Sequence, residues 1–120
     1  MTHDAGANRQ RAVTIASTAI AMGARHMVLS PGARNTPIVL ALHDMHEGGW
    51  PIHVHSILDE RAAAFYALGI ARRTNQPAVL CCTSGSAGAH YYPAVVEASQ
   101  GAEVPCGAAR PRRGGRGHRV

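Results

Sequence analysis

The chain is predicted to be an α/β protein: a doubly wound, mostly parallel sheet with helices on both faces, incomplete at its C-terminal end. Two observations predict this. Short apolar runs alternate with segments of helical periodicity along residues 8–100, the pattern of successive βα units. Two of the strand-to-helix junctions are Gly-containing turns, Pro31-Gly32 and Ser84-Gly85, as such crossovers require.

The elements follow in order. Asn8 to Met22 carries Ala12, Ile15, Ala16, Ala19 and Ile20 on one helical face, and Gly23 stops it. Arg25 to Ser30 reads as a strand broken by Pro31-Gly32. Thr36 to about His46 reads as a helix with Thr36 as N-cap and Pro37 at its first position, ended by Gly48-Gly49. Pro51 to Ile57 is strand-like. Asp59 caps a third helix reaching Arg73, with Ala62, Phe65, Tyr66, Gly69 and Ile70 as its apolar face; Asn75 and Pro77 close it. Ala78 to Cys82 is a continuous apolar run, the mark of a strand buried on both faces. Thr83-Ser84-Gly85-Ser86 then turns into a fourth helix running to about Gln100, and Val104-Pro105 is expected to open the next strand.

A chain of 120 residues is enough for one domain. It has no apolar run long enough to span a bilayer and no signal-peptide pattern at its polar N-terminus. Cys81 and Cys82 are adjacent on a strand and so point to opposite faces; with Cys106 they form neither a disulfide framework nor a zinc spacing. A reducing, cytoplasmic location is expected.

The net charge of +5 is unevenly placed. Residues 1–105 contain seven Arg and seven Asp/Glu, so the surplus is Arg110, Arg112, Arg113, Arg116 and Arg119. Residues 1–105 are therefore read as the folded body and not as a nucleic-acid binder. Residues 106–120 are read as a disordered, Arg- and Gly-rich tail. With twelve Arg and no Lys, a GC-rich gene is implied, and its out-of-frame translation has this composition. The two readings of the tail are a frameshifted terminus and a basic arm for RNA or membranes.

Ligands of doubly wound sheets bind at the carboxyl ends of the strands. Ser30 to Thr36, Asp59-Glu60-Arg61 and Thr83 to Gly88 occupy that edge. Two of these feed helix N-termini, where free N–H groups attract anions, but neither matches a phosphate-loop or dinucleotide fingerprint. Two roles fit Glu60: a carboxylate complementing a helix dipole, or a functional acid. Arg34 fits a surface charge or an anion clamp. His43 and His46 on a helix, and His53 and His55 on a strand, could each share a face, but no further ligand completes a metal set. Tyr91 and Tyr92 read as packing residues.

Three segments together resemble one family. They are Ser30-Pro-Gly-Ala-Arg-Asn-Thr-Pro37, Asp59-Glu-Arg-Ala-Ala-Ala-Phe-Tyr-Ala-Leu-Gly69 and Cys82-Thr-Ser-Gly-Ser-Ala-Gly-Ala-His-Tyr-Tyr-Pro-Ala-Val-Val-Glu-Ala-Ser99. Over residues 8–105 the chain resembles the N-terminal, pyrimidine-binding domain of the 2-succinyl-5-enolpyruvyl-6-hydroxy-3-cyclohexene-1-carboxylate synthase family of thiamine-diphosphate enzymes, which act in menaquinone biosynthesis.

The resemblance implies a transferase that decarboxylates 2-oxoglutarate and adds the retained fragment to isochorismate. It implies that Glu60 is the catalytic carboxyl, bonding N1′ of the cofactor's aminopyrimidine so that the 4′-imino group can take the thiazolium C2 proton. The cofactor then carries the hard chemistry. Such a carboxyl should be shielded from water. Pro31, Gly32, Thr83, Ser84 and Gly85 would line the cofactor, and Ala33 and Arg34 the substrate, with Arg34 on the isochorismate carboxylate. Ala33 stands where the family has serine, which removes a hydroxyl donor; Ser86 replaces threonine and His90 replaces asparagine. Mg2+ would bind through a second domain that has no counterpart here. Family active sites form between chains of a dimer or tetramer, so the chain alone is expected to be inactive. The competing reading is a stand-alone ligand- or partner-binding module without catalysis.

Overall fold

The computed structural model describes residues 2–101, with side chains from Ala5 onward. The strand expected at Val104-Pro105 and the tail 106–120 lie outside the described residues.

The elements run α1 (Thr2–Ala21), β1 (His26–Leu29), a 3-10 turn (Ala33–Asn35), α2 (Thr36–Glu47), β2 (His53–Ser56), α3 (Glu60–Thr74), β3 (Ala78–Cys81), a 3-10 segment (Gly85–Tyr91) and α4 (Tyr92–Gln100). The three strands form one parallel sheet in the order β2-β1-β3. His26 of β1 lies opposite His53 on one side and Ala78 on the other. The predicted α/β architecture with helices on both faces is the one observed.

Alternation along β1 divides the core. Met27 and Leu29 face α1 and α2 and pack with Ala16, Ile20, Leu42, Met45 and Ile52. Val28 faces the other way, onto Ala63, Ala67 and Ala71 of α3. Successive strand residues point to opposite faces, so a four-residue strand serves both cores. α4 lies along α3, where Arg72 Nη2 donates to the Glu97 carbonyl at 3.2 Å.

The boundaries have local causes. Gly23 and Gly49 adopt φ of +96° and +81°, which stop α1 and α2. Asp59 caps α3 as expected: its Oδ1 accepts from the Ala62 N–H at 2.7 Å. Asn75 ends α3 in the left-handed region, at φ 53°.

Four expectations are corrected. The N-cap of α2 is Asn35, and Thr36 is already helical; the Thr36 hydroxyl donates back to the Ala33 carbonyl at 2.8 Å instead of capping. The buried face of α3 is Ala63, Ala64, Ala67, Leu68 and Ala71, not the stripe with Phe65 and Tyr66, both of which are exposed. Both stripes have helical spacing, and the alanine one lets the helix backbone approach the sheet. β3 is an edge strand among the described residues, buried only at Ala78; the doubly buried strand is β1. Finally, residues 85–91 form a 3-10 segment, and the regular helix begins only at Tyr92, with Pro93 in its first turn.

Candidate active site

The strand order brings the three predicted segments to one edge of the sheet. β1 leads into Ser30–Thr36, β2 into Ile57–Glu60 and β3 into Cys82–Tyr91. Backbone and side-chain bonds then tie these loops together.

Ser30 is the hinge of this arrangement. It is buried, its N–H donates to the Cys81 carbonyl at 2.9 Å, and its hydroxyl donates to the Ile57 carbonyl at 2.8 Å. The end of β1 is thereby held to the ends of both neighbours. Asn35, also buried, closes the Pro31-Gly32 turn. Its Nδ2 donates to the Ser30 carbonyl at 2.9 Å, and its Oδ1 accepts from the Gly32 N–H at 2.9 Å. A polar side chain this deep persists only when both ends of its amide are used. Across the edge, Gly32 touches Thr83: a Cβ at Gly32 would stand 2.5 Å from the Thr83 Cβ. Gly85 has φ +81°, which turns the chain sharply after β3 and favours glycine.

Within this frame, Glu60 is the first residue of α3 and is half-buried. Ala33, Arg34, Ser84 and Pro31 are exposed, and Gly32 and Thr83 are half-buried. Among the described residues Arg34 makes no hydrogen bond or ion pair, so its guanidinium is available to a ligand. The structure thus brings Glu60, Pro31, Gly32, Ala33, Arg34, Thr83, Ser84 and Gly85 to one edge. His90 and Ser86 are exposed beside it.

Tyr91 is a further member of this edge, beyond the packing role that its sequence context predicts. Its hydroxyl is buried and has no hydrogen-bond partner among the described residues. Burial pushes the phenol pKa up; a contact with the Cys82 thiol, a weak partner whose geometry falls short of a hydrogen bond, raises it further, as do the neighbouring Cys82, Cys81 and Glu60 charges. A neutral donor without an acceptor is costly where it stands. Burial also raises the Cys81 thiol, against the opposing contact from Asn35, so Cys81 is an inert packing thiol at neutral pH. Tyr91 could not be singled out from sequence, because nothing in the spacing distinguishes it from Tyr92. Asn35 could have been: Asn immediately before a Thr-Pro helix start is suited to closing the preceding turn.

The histidines divide differently from the expected pairs. His53 and His55 do share a face, but the third member is His26 on β1, whose ring stacks on His53 with centroids 4.9 Å apart. Among the described residues no group of three His, Cys, Asp or Glu side chains is placed to hold a metal ion. No described helix is long and apolar enough to cross a membrane.

Comparison with known proteins gives a consistent picture. Residues 11–113 match the family described as thiamine pyrophosphate enzyme, N-terminal TPP binding domain. The chain is 53% identical over 78 residues to 2-succinyl-5-enolpyruvyl-6-hydroxy-3-cyclohexene-1-carboxylate synthase of Sorangium cellulosum, covering 65% of this chain and 12% of that protein. It is 52% identical over 94 residues to the synthase of Roseiflexus castenholzii (78% and 15% covered) and 42% identical over 99 residues to that of Myxococcus xanthus (82% and 16% covered). The chain therefore spans 12–16% of the length of these relatives. With a family match across most of its length and the three loops gathered at the carboxyl edge of a parallel sheet, the chain belongs to the thiamine pyrophosphate enzymes, as a member of their N-terminal TPP binding domain family.

Proposed function

We propose that the chain is the pyrimidine-binding part of a thiamine-diphosphate-dependent synthase that decarboxylates 2-oxoglutarate and joins the product to isochorismate. Residues 1–105 are read as its body. The observation that carries the reading is Glu60, a half-buried carboxyl at the first position of α3, on the same edge as the Gly32 and Thr83–Gly85 turns.

The residues present suit an aminopyrimidine. Glu60 supplies a carboxyl for a ring nitrogen. The buried Tyr91 hydroxyl lacks an acceptor, as expected of a wall completed by a ligand. Gly32, pressed against Thr83, keeps that wall free of a side chain. Pro31, Ser84 and Gly85 complete the lining. When bound, thiamine diphosphate supplies the carbanion chemistry of the reaction. This chain's part is to hold the ring through the Glu60 carboxyl, while the exposed Arg34, with Ala33 beside it, meets a substrate carboxylate through charge-assisted hydrogen bonds.

Mg2+ and the diphosphate would be held by a second domain, and the site would be completed by another copy in a homo-oligomer within the cytoplasm. That the chain spans only 12–16% of the length of its relatives is compatible with that division.

A chimera tests the reading. Residues 8–105 replace the matching segment of the Roseiflexus castenholzii synthase, and carboligation is measured. Activity in the chimera, and its loss by about 10²-fold or more in Glu60→Gln, is the expected result. A folded chimera indifferent to Glu60→Gln would remove the proposal.

A further inference from the structure

At the end of the sheet opposite Glu60, the first residues of β1 and β2 open onto a cleft of about 460 Å3 whose wall, among the described residues, includes Arg25, His26, His46, Trp50, His53 and Gln76, and no Asp or Glu. None of these residues takes part in the site described above. The wall is rich in N–H donors and poor in acceptors, and the detailed bonding shows which donors are open to a guest.

Arg25 Nη1 donates to the Ile20 and Ala24 carbonyls, both at 2.9 Å, closing the end of α1. The rest of the guanidinium remains for a ligand. His46 Nδ1 lies 3.2 Å from the Ile52 carbonyl. A carbonyl only accepts, so Nδ1 carries the proton, and Nε2 becomes a donor only when the ring is protonated. His26 Nδ1 lies 3.0 Å from His55 Nε2, and His55 Nδ1 lies 3.2 Å from the Tyr66 hydroxyl. One of the two facing imidazole nitrogens must be bare, so this pair cannot hold two extra protons and keep its bond. His26 also stacks on His53, with rings inclined by 22°. Burial, and then the adjacent imidazoles, lower the pKa of His26 and of His55.

In this cluster, protonation of His26 and His55 is thus opposed first by burial and then by the neighbouring imidazoles, with no carboxylate among the described lining residues to balance it. The titratable and charged groups around it are Arg25, His26 on β1, His46 on α2, His53 and His55 on β2, and Tyr66 on α3. An anion in the cleft would reverse that penalty, turning repulsion into charge-assisted hydrogen bonding. Trp50 gives the guest a flat apolar wall.

We propose that this cleft is a binding site for a small oxyanion, a phosphoryl or carboxylate group, taken up together with a proton on the histidine cluster. The proposal is independent of the role of Glu60.

Trp50 is the sole tryptophan of the chain, so its emission reports this cleft directly. The full 120-residue chain is titrated with sulfate, which stands in for a phosphoryl group, and separately with acetate. Neither probe changes charge between about pH 6 and 7.5, and ionic strength is held constant with chloride. A saturable change in emission is expected, with affinity about three- to tenfold tighter at the lower pH, one proton contributing up to roughly tenfold per pH unit. Saturation by sulfate alone assigns a phosphoryl group, by acetate alone a carboxylate, and by both the shared oxyanion class. His53→Gln should weaken binding at least about fivefold by removing a donor from the wall. His46→Gln serves as the second variant should His53→Gln fail to fold. A linear response to both anions, affinity unchanged by acid, or unchanged binding in the folded variants would overturn the site.

Discussion

Gly32 and Thr83 are in such close contact that no side chain fits between them: a Cβ on Gly32 would lie 2.5 Å from the Thr83 Cβ and 2.8 Å from its Cγ2. The backbone at Gly32 is extended, at φ −161°, so any residue could adopt it. The constraint is purely steric, and it fixes the distance between two loops of the site. Gly32→Ala should therefore push the loops apart and destabilise the chain by about 1–3 kcal/mol, the usual cost of overpacking. The double variant Gly32→Ala/Thr83→Gly should recover most of that loss in urea unfolding. An unaltered midpoint in the single variant would mean that the two loops separate freely.

Asn35 is the other fastener of the first loop. Replacing it with Ala strands the Gly32 N–H and the Ser30 carbonyl at a buried position, and a loss of about 1–3 kcal/mol follows. Asn35→Asp keeps the acceptor for Gly32 but places a carboxylate oxygen against the Ser30 carbonyl, so it should lose nearly as much at neutral pH. Denaturant unfolding of the two variants side by side checks this. Full stability in Asn35→Asp would show that the bond to Ser30 is dispensable.

Which parts of this architecture could be read from the chain has a physical answer. Alternating apolar runs, Gly23, Gly49 and the Asp59 cap are local signals, and they located every helix and strand of the sheet core. The gathering of Glu60, Gly32 and Thr83 at one edge follows from parallel topology alone. What escaped were choices made by tertiary packing. α3 has an alanine stripe and an aromatic stripe at equal helical spacing, and only the sheet decides which is buried. The apolar run Ala78–Cys81 reads as a strand buried on both faces, yet among the described residues strand order gives that place to β1. His26, separated by 29 residues from His55, joins its cluster through register, which no short window of sequence contains.

Tyr91 leads to a third prediction. Its hydroxyl is buried without a partner among the described residues, so Tyr91→Phe removes a desolvated donor and leaves the ring in place. The chain by itself should become more stable, by up to about 1–3 kcal/mol. The chimeric synthase carrying the same change should bind thiamine diphosphate several-fold more weakly, because the donor meets its acceptor only in the loaded site. Thermal melts and calorimetric titration separate the two effects. Loss of stability in the unloaded chain would show that the hydroxyl is already satisfied.

The last prediction concerns acid. His26 and His55 both have lowered pKa values in the folded chain, through burial first and the neighbouring imidazoles second. Below the ordinary histidine value of about 6.5 the unfolded chain therefore binds more protons than the folded one. Stability is complete above that value and declines as pH falls through it toward the folded values. The loss should concentrate on β2, since His26 Nδ1 and His55 Nε2, 3.0 Å apart, cannot both be protonated and remain bonded. Unfolding free energy measured from about pH 8 to 5 in chloride should fall with acid, and His55→Gln should flatten the slope. Hydrogen exchange should reveal earlier opening at His53–Ser56 than at Ala78–Cys81. Equal exchange in the two strands at low pH would place the acid-sensitive step elsewhere in the chain.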